Sequence, residues 1–200
     1  MPTPTAAGTP RQDNRRTQLL DAAAHLFRAH GYHATSMRDI AGAVGMLPGS
    51  IYYHFPSKDD LLATVYEEGV RRIAERVDAA IAEEQSPRRQ LEAACIAHLE
   101  MLLDQSDYAQ VVLRVLPDDA APIRSRLIAL RDEYETRFKH LVMQLDLPPQ
   151  VNRHYFRLLL LGALNWAQAW YRPGGDSPQT IARQLLRALY QPLDTRKQHA

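Results

Sequence analysis

Hydrophobic residues recur at helical spacing along nearly the whole chain. In the first segment they stand in one stripe of an α-helix, made of Leu19, Leu20, Ala23, Leu26 and Phe27. Glycine, proline and capping residues separate successive helices, and no segment shows the alternation typical of a strand. The pattern predicts an all-α protein of about nine helices, at 13–30, 36–44, 48–55, 58–84, 90–103, 107–116, 119–145, 150–171 and 178–190.

The third predicted helix is unusually short. Pro48 suits its first turn, where a missing backbone N–H loses no hydrogen bond, and Pro56 stops it. Because a helix of about seven residues is not stable alone in water, Ile51 and Phe55 must hold it against its neighbours. This orientation leaves on or beside the exposed face Gly49, Ser50, Tyr52, Tyr53 and His54. A short supported helix that follows a tight turn at Gly45 is typical of a helix-turn-helix, which offers one helix to the DNA major groove.

Residues 35–62 also resemble a motif of the TetR family of bacterial transcriptional regulators. The residues that carry the resemblance are Thr35, Ser36, Ile40, Ala41, Gly49, Ser50, Ile51, Tyr52, His54, Phe55, Ser57, Lys58 and Leu61. The match covers about residues 15–66. It implies a three-helix DNA-binding domain at residues 13–60 and an effector-binding and dimerisation domain at residues 61–192. Composition indicates a disordered arm at residues 1–12, and residues 193–200 are predicted to fray.

The resemblance implies roles in DNA binding for residues around the short helix. Thr35 and Ser36 would turn the free N–H groups of a helix N-terminus toward a phosphate. Ser50 would reach a base edge or a phosphate, and the two tyrosines would contact phosphates and thymine methyl groups. The complete predicted set is Arg15, Arg16, Thr35, Ser36, Arg38, Pro48, Gly49, Ser50, Tyr52, Tyr53, His54 and Lys58.

Some features of this region leave alternatives open. The family usually has a polar or basic residue where this chain has Leu47 and Pro48, which removes an expected phosphate or base contact. For one of Tyr52 and Tyr53, packing against the first helix is the alternative to DNA binding. Arg15 and Arg16 belong either to a solvated terminus or to an arm along DNA phosphates. A formal net charge of +1 does not by itself predict DNA binding.

The segment 150–171 predicts a homodimer. It is apolar on all sides, so more than one neighbour must cover it. The core covers one side, and a second subunit is the simplest cover for another, with the last helix completing a four-helix interface of twofold symmetry. The alternative is the buried central helix of a monomer. A dimer would place two recognition helices on a palindromic double-stranded DNA operator.

The effector site is predicted among large side chains of the C-terminal half. The candidates are His98, Met101, Leu102, Tyr108, Val112, Tyr134, Phe138, Asn165, Trp166 and Trp170. Asn165 is the most informative, because a buried amide needs a hydrogen-bonding partner. Resemblance to the family members that control fatty-acid and sterol breakdown implies an apolar or acyl-CoA-type effector. Its phosphates would need arginines, for which the candidates are Arg114, Arg124, Arg126, Arg131 and Arg137.

Other classes of protein have little support. The sequence contains no catalytic motif, no metal-ligand spacing and no phosphate loop, so neither an enzyme nor a cofactor is predicted. Cys95 is the single cysteine, and no apolar stretch has the length of a membrane span. The prediction is a cytoplasmic, ligand-responsive repressor in which the effector shifts the helix at 58–84. The alternative is a DNA-binding activator or architectural protein without an effector.

Overall fold

The computed structural model describes residues 10–104 and 106–194. These residues form nine α-helices and no strand, which confirms the all-α prediction. The helices are α1 (Pro10–His30), α2 (Met37–Ala43), α3 (Ile51–His54), α4 (Lys58–Ala82), α5 (Pro87–Leu103), α6 (Asp107–Arg114), α7 (Arg124–Met143), α8 (Arg153–Trp170) and α9 (Pro178–Asp194). A 3-10 segment, Pro117–Ile123, connects α6 to α7.

The first three helices and the start of α4 pack around an N-terminal core. Ile51 and Phe55 are buried in it, as the sequence predicts, and anchor α3. Gly31 and Gly45 follow α1 and α2 with φ values of 84° and 66°, a left-handed conformation that costs glycine little. These two turns set the orientation of α2 relative to α1 and of α3 relative to α2.

The remaining helices surround α5, which packs against α4, α7, α8 and α9. Their core includes the fully buried Leu99, Phe138 and Leu164. Helix α6 contributes to both cores, since Val111 packs in the N-terminal core and Ala109 in the C-terminal one. Among the helices described, none is long and apolar enough to cross a lipid bilayer.

Some predicted boundaries are wrong. The predicted helix at 48–55 begins only at Ile51, because the Ser50 N–H bonds to the Leu47 carbonyl oxygen at 2.9 Å and closes a turn. The predicted helix at 119–145 begins at Arg124, since Ala120 has non-helical φ and ψ of −132° and 66°.

The predicted arm and tail overlap the helices at both ends. Residues 10–12 of the arm belong to α1, and residues 193–194 of the tail end α9. Residues 1–9 and 195–200 lie outside the described part of the chain.

Candidate nucleic-acid interface and ligand cavity

The surface around α3 is exposed and carries most of the predicted DNA-binding residues. Tyr52 and Tyr53 are 54% and 76% exposed, so neither side chain is buried against α1. Pro48, Gly49, Ser50 and, on α2, Arg38 are also exposed. His54 is half-buried, and its ring lies edge-on to that of Tyr53, with 5.5 Å between centroids.

Thr35 and Ser36 form the N-terminus of α2 but differ in access to solvent. Thr35 is 2% exposed, and its hydroxyl donates to the Gly31 carbonyl oxygen at 2.8 Å. Ser36 is exposed and forms a capping box, in which it accepts from the Asp39 N–H at 3.2 Å and donates its own N–H to the Asp39 carboxylate at 2.9 Å. Hydrogen bonds from Ser36 lower the pKa of Asp39. Thr35 therefore supports α2 from within and does not offer its side chain to DNA.

Three of the predicted basic residues also have partners within the protein. The Lys58 ammonium donates to the carbonyl oxygens of Tyr32 and Thr35 at 2.9 and 3.0 Å, and lies 4.3 Å from the centroid of the Tyr32 ring. It thereby ties the start of α4 to the loop between α1 and α2, a role that the sequence does not reveal. The Arg16 guanidinium lies 5.1 Å from the centroid of the Phe55 ring, and Arg15 donates to Gln18 at 3.3 Å.

A cavity of about 380 Å³ lies between α4, α5, α6, α7 and α8. Six of the predicted effector-site residues line it: His98, Leu102, Val112, Tyr134, Asn165 and Trp166. The wall formed by α4 was not predicted from the sequence; it consists of Tyr66, Val70 and Ile73. Their helical spacing identifies them as an inward face, but not as the face of a cavity. Further lining residues are Leu113, Val115, Leu116, Pro117, Arg131, Glu135, Leu161, Gly162 and Gln168.

Four predicted effector-site residues lie elsewhere. Phe138 is fully buried and packs edge-on against the His98 ring. Met101 packs against the C-terminal core, and Trp170 is 45% exposed on α8. Tyr108 donates its hydroxyl to Asp21 at 2.8 Å, which joins α6 to α1. The amphipathic pattern cannot separate these core and surface positions from the cavity wall.

Three polar side chains form a hydrogen-bonded chain along the cavity. The Tyr134 hydroxyl lies 2.6 Å from Nδ1 of His98, and Nε2 of His98 lies 3.0 Å from Oδ1 of Asn165. Burial lowers the pKa of His98 to about 4 and raises that of Tyr134. Both side chains are therefore uncharged at neutral pH.

Arg131 is the candidate phosphate-binding arginine that lines the cavity. It lies 3.4 Å from Asp132 and 3.9 Å from Glu135, a carboxylate that also pairs with Arg157. The other candidates do not line it: Arg114 faces a separate groove beside α1, and Arg124, Arg126 and Arg137 pair with acidic side chains on the surface.

Helix α6 connects the cavity to the DNA-binding unit. Val112 lines the cavity, whereas Asp107 accepts hydrogen bonds from Arg28 at 2.8 Å and from His25 at 3.2 Å, both on α1. On its other side α6 approaches α4 closely at Gly69, where a Cβ atom would lie 2.8 Å from the Tyr108 carbonyl oxygen. A displacement of α6 would therefore alter its contacts with both α1 and α4.

Helix α8 has an exposed apolar face opposite its buried one. Tyr155, Leu159 and Trp166 are 63%, 63% and 69% exposed, at spacings that place them on one side of the helix. The opposite side packs into the C-terminal core. An exposed apolar face of this kind is typical of a protein–protein interface.

The fold and these surfaces define a helix-turn-helix regulator, in which one long helix joins a DNA-binding unit to a ligand-binding domain. Two family models match the chain: bacterial regulatory proteins of the tetR family over residues 19–65, and the tetracyclin repressor-like C-terminal domain over residues 84–193. The chain belongs to the TetR family of transcriptional regulators. Proteins of this family are DNA-binding regulators rather than enzymes, and they act as homodimers on operator DNA.

Several individual proteins are similar over nearly the whole chain. The HTH-type transcriptional repressor KstR2 of Rhodococcus jostii (strain RHA1) is 31% identical over 197 residues, which are 93% of this chain and 94% of that one. A TetR-family regulator from Bordetella parapertussis 12822 has a TM-score of 0.74 with 26% identity, covering 88% of this chain and 94% of that chain. The structure of AibR in complex with isovaleryl coenzyme A and operator DNA has a TM-score of 0.75 with 23% identity, covering 88% and 98%, which shows a shared fold.

Proposed function

We propose that this protein is a repressor that binds a palindromic operator as a dimer and leaves it when an apolar, acyl-CoA-type effector occupies the cavity. One observation carries the proposal: α4 belongs to both units. Its first turns place Leu61 and Leu62 in the core that supports α3, and the next turns place Tyr66 and Val70 in the cavity wall. An effector would thus touch the helix that positions the DNA-binding surface.

The nature of the effector is supported by the cavity and by two relatives. The walls of the cavity are mostly aliphatic and aromatic, which suits an acyl chain. Arg131 offers a guanidinium for a phosphate group. A relative at 31% identity is named a transcriptional repressor, and the fold neighbour AibR binds isovaleryl coenzyme A. Repression and an acyl-CoA effector are therefore the functions we assign to this chain.

The DNA contacts that we propose come from the exposed groups around α3. Tyr52, Tyr53 and Ser50 would reach base edges or phosphates, and the backbone at Gly49 would approach the DNA closely. Arg38 and the free N–H groups at the start of α2 would bind phosphates. His54, Arg15 and Arg16 would bind further phosphates, and Pro48 would contribute van der Waals contact with the DNA. Because these contacts require access to chromosomal DNA, we propose a cytoplasmic location.

The effector would act through a difference in affinity for two dimer geometries. A ligand that pushes on Tyr66 and Val70 tilts α4, which changes the separation of the two recognition helices. Only a ligand with different affinities for the two geometries shifts the equilibrium between them. The same coupling requires that operator DNA weakens effector binding by an equal factor.

A gel-shift experiment with genomic fragments tests the proposal. We expect sequence-selective, salt-sensitive binding that octanoyl-CoA weakens and free coenzyme A does not. The absence of a selective shift would overturn DNA regulation by this chain. A selective shift that no acyl-CoA alters, together with unchanged thermal stability in a screen of acyl-CoA compounds, would instead favour an activator or architectural protein without an effector.

A further inference from the structure

The proposed mechanism acts through α4 and does not use the hydrogen-bonded chain of Tyr134, His98 and Asn165. The three side chains come from α7, α5 and α8 and line an otherwise largely apolar cavity. Tyr134 and His98 are 8% and 3% exposed, whereas Asn165 is exposed, so the expectation of a buried amide is wrong. The two buried side chains stabilise the protein only when their hydrogen bonds are satisfied, so the arrangement of donors and acceptors is informative.

With the amide of Asn165 placed so that Oδ1 faces His98, the hydrogen-bonding pattern assigns the proton of His98 to one ring nitrogen. Oδ1 of Asn165, 3.0 Å from Nε2, is a carbonyl oxygen and can only accept. Nε2 must therefore carry the proton and donate it. In a neutral imidazole the other nitrogen is then an acceptor, so the Tyr134 hydroxyl donates to Nδ1 across 2.6 Å. The chain of donors runs in one direction, from Tyr134 through His98 to Asn165.

This direction leaves one group of Asn165 available to a ligand. Its amide oxygen is held by His98, and no described residue accepts a hydrogen bond from its amide nitrogen. Because Asn165 is exposed, solvent water can accept from this nitrogen in the absence of a ligand. A ligand that fills the cavity displaces that water, and it loses affinity unless it replaces the lost acceptor.

We propose that Asn165 selects effectors by donating a hydrogen bond from its amide nitrogen to an uncharged carbonyl oxygen, while Tyr134 and His98 hold the amide in the donating orientation. The thioester carbonyl of an acyl-CoA has this chemistry. A carboxylate in the same place would bring a second negative charge into a wall that already holds the carboxylate of Glu135, beside the neutral His98, and it would have to compete with Glu135 for Arg131. This inference rests on the proposed function, since it assigns the cavity to the effector.

Two matched pairs of ligands isolate the carbonyl oxygen. Octanoyl-CoA is compared with S-octyl-CoA, and S-octanoyl-N-acetylcysteamine with S-octyl-N-acetylcysteamine; in each pair a thioether methylene replaces the thioester carbonyl. Calorimetry on the full-length protein should show that each thioester binds about tenfold tighter than its thioether, the effect of roughly one hydrogen bond. Equal affinities within both pairs would overturn the inference about Asn165.

Variants then assign the preference to one side chain. Asn165→Leu should bind thioester and thioether equally, with the thioether affinity retained. Asn165→Asp keeps the acceptor for His98 but loses both N–H donors, so it should also lose the preference. Gln168→Leu is the control, because Gln168 is an amide one turn further along α8 that lines the same cavity. Its loss should leave the tenfold preference unchanged, and a preference lost there instead would contradict the assignment.

The positioning role of Tyr134 has its own measurement. Tyr134→Phe should reduce the thioester preference without abolishing thioether binding, and adding it to Asn165→Leu should have no further effect on the ratio of the two affinities. Nitrogen NMR of unliganded protein should find the His98 proton on Nε2. A proton on Nδ1 would reverse the donor chain and overturn the inference.

The four ligands also separate this inference from the proposed function. If the N-acetylcysteamine pair shows the preference but neither coenzyme A compound binds or releases operator DNA, the acyl-CoA effector is wrong and the role of Asn165 stands. If octanoyl-CoA releases DNA but no pair shows a preference, the effector stands and the role of Asn165 is wrong. If none of the four binds at millimolar concentration, both are wrong.

Discussion

At the scale of single residues, burial makes His98 a pH-sensitive element of stability. Its pKa is lowered from 6.5 to about 4, because burial disfavours the charged form. As the pH falls from 6.5 to 4, the unfolded chain binds a proton that the folded chain does not. We therefore expect the free energy of unfolding to fall by roughly 3 kcal/mol across this range, which urea denaturation at several pH values measures.

The control for this prediction is His98→Gln, which keeps a polar side chain of similar length but does not titrate. Its free energy of unfolding should vary much less over the same pH range. Glu68, whose pKa is lowered from 4.5 to about 2 by hydrogen bonds from Arg71 and Arg72, reduces stability below about pH 5 in both proteins, so the difference between the two pH profiles isolates His98. Parallel pH profiles for the wild type and the variant would show that His98 is not responsible.

Lys58 and Arg38 provide a second test at this scale, because one is engaged within the protein and the other is exposed. Lys58→Met removes hydrogen bonds to two carbonyl oxygens, so we expect a loss of about 1–2 kcal/mol in stability and an unchanged salt dependence of operator binding. Arg38→Met should do the reverse, with unchanged stability and a salt slope reduced by about one.

Thermal denaturation and operator titration at several salt concentrations measure both effects. A salt slope that falls for Lys58→Met would assign this lysine to a phosphate, as the sequence motif implies. A slope that stays constant for Arg38→Met would remove that arginine from the DNA interface.

At the scale of elements, capping residues and periodicity predicted the helices. The composition of the site depends on contacts between residues that are far apart in the sequence. The caps formed by Ser36 with Asp39 and by Ser57 with Asp60 span three residues, so the sequence alone locates the starts of α2 and α4. The role of Lys58 depends on carbonyl oxygens 23 and 26 residues away. Periodicity identifies an inward face, but whether that face meets a cavity or a core depends on how helices from distant parts of the chain pack.

Helices α4 and α6 approach each other closely at Gly69. Of the described glycines, Gly69 is the one where an added Cβ atom would come closest to its neighbours. A Cβ atom there would lie 2.7 Å from Cγ2 of Val112 and 2.8 Å from the Tyr108 carbonyl oxygen, and backbone does not yield easily. We expect Gly69→Ala to push the two helices apart and to lower stability by about 1–3 kcal/mol. The response of the variant protein to an effector should also change, because both helices line the cavity.

Gly42→Ala is the matched control, since a Cβ atom on this α2 glycine meets nothing within 4 Å. An alanine there should be neutral or slightly stabilising. Chemical denaturation compares the two variants with the wild type. Equal stability of Gly69→Ala and Gly42→Ala would mean that α6 moves away from α4 without cost, which contradicts a tight coupling between them.

At the scale of the whole molecule, α8 contributes to the core, to the cavity wall and to the exposed apolar face that we assign to the dimer interface. Leu160 and Leu164 pack in the core, Asn165 lines the cavity, and Leu159 lies on the exposed apolar face. The sequence shows only that this helix is apolar all round, which fits either a second subunit or a central helix of a monomer. The fold favours the second subunit, because the described residues leave one apolar face of α8 uncovered.

Replacing Leu159 with arginine tests this assignment of the exposed face. Leu159→Arg puts a charge on the exposed apolar face of α8, where a second subunit would bury it without a partner, so we expect a monomer in sedimentation experiments. Operator affinity should fall by about 100-fold or more, since two linked DNA-binding units gain that factor by binding together. Met143→Arg is the control, because Met143 is 60% exposed on α7. A Leu159→Arg protein that remains dimeric would place the interface on another face.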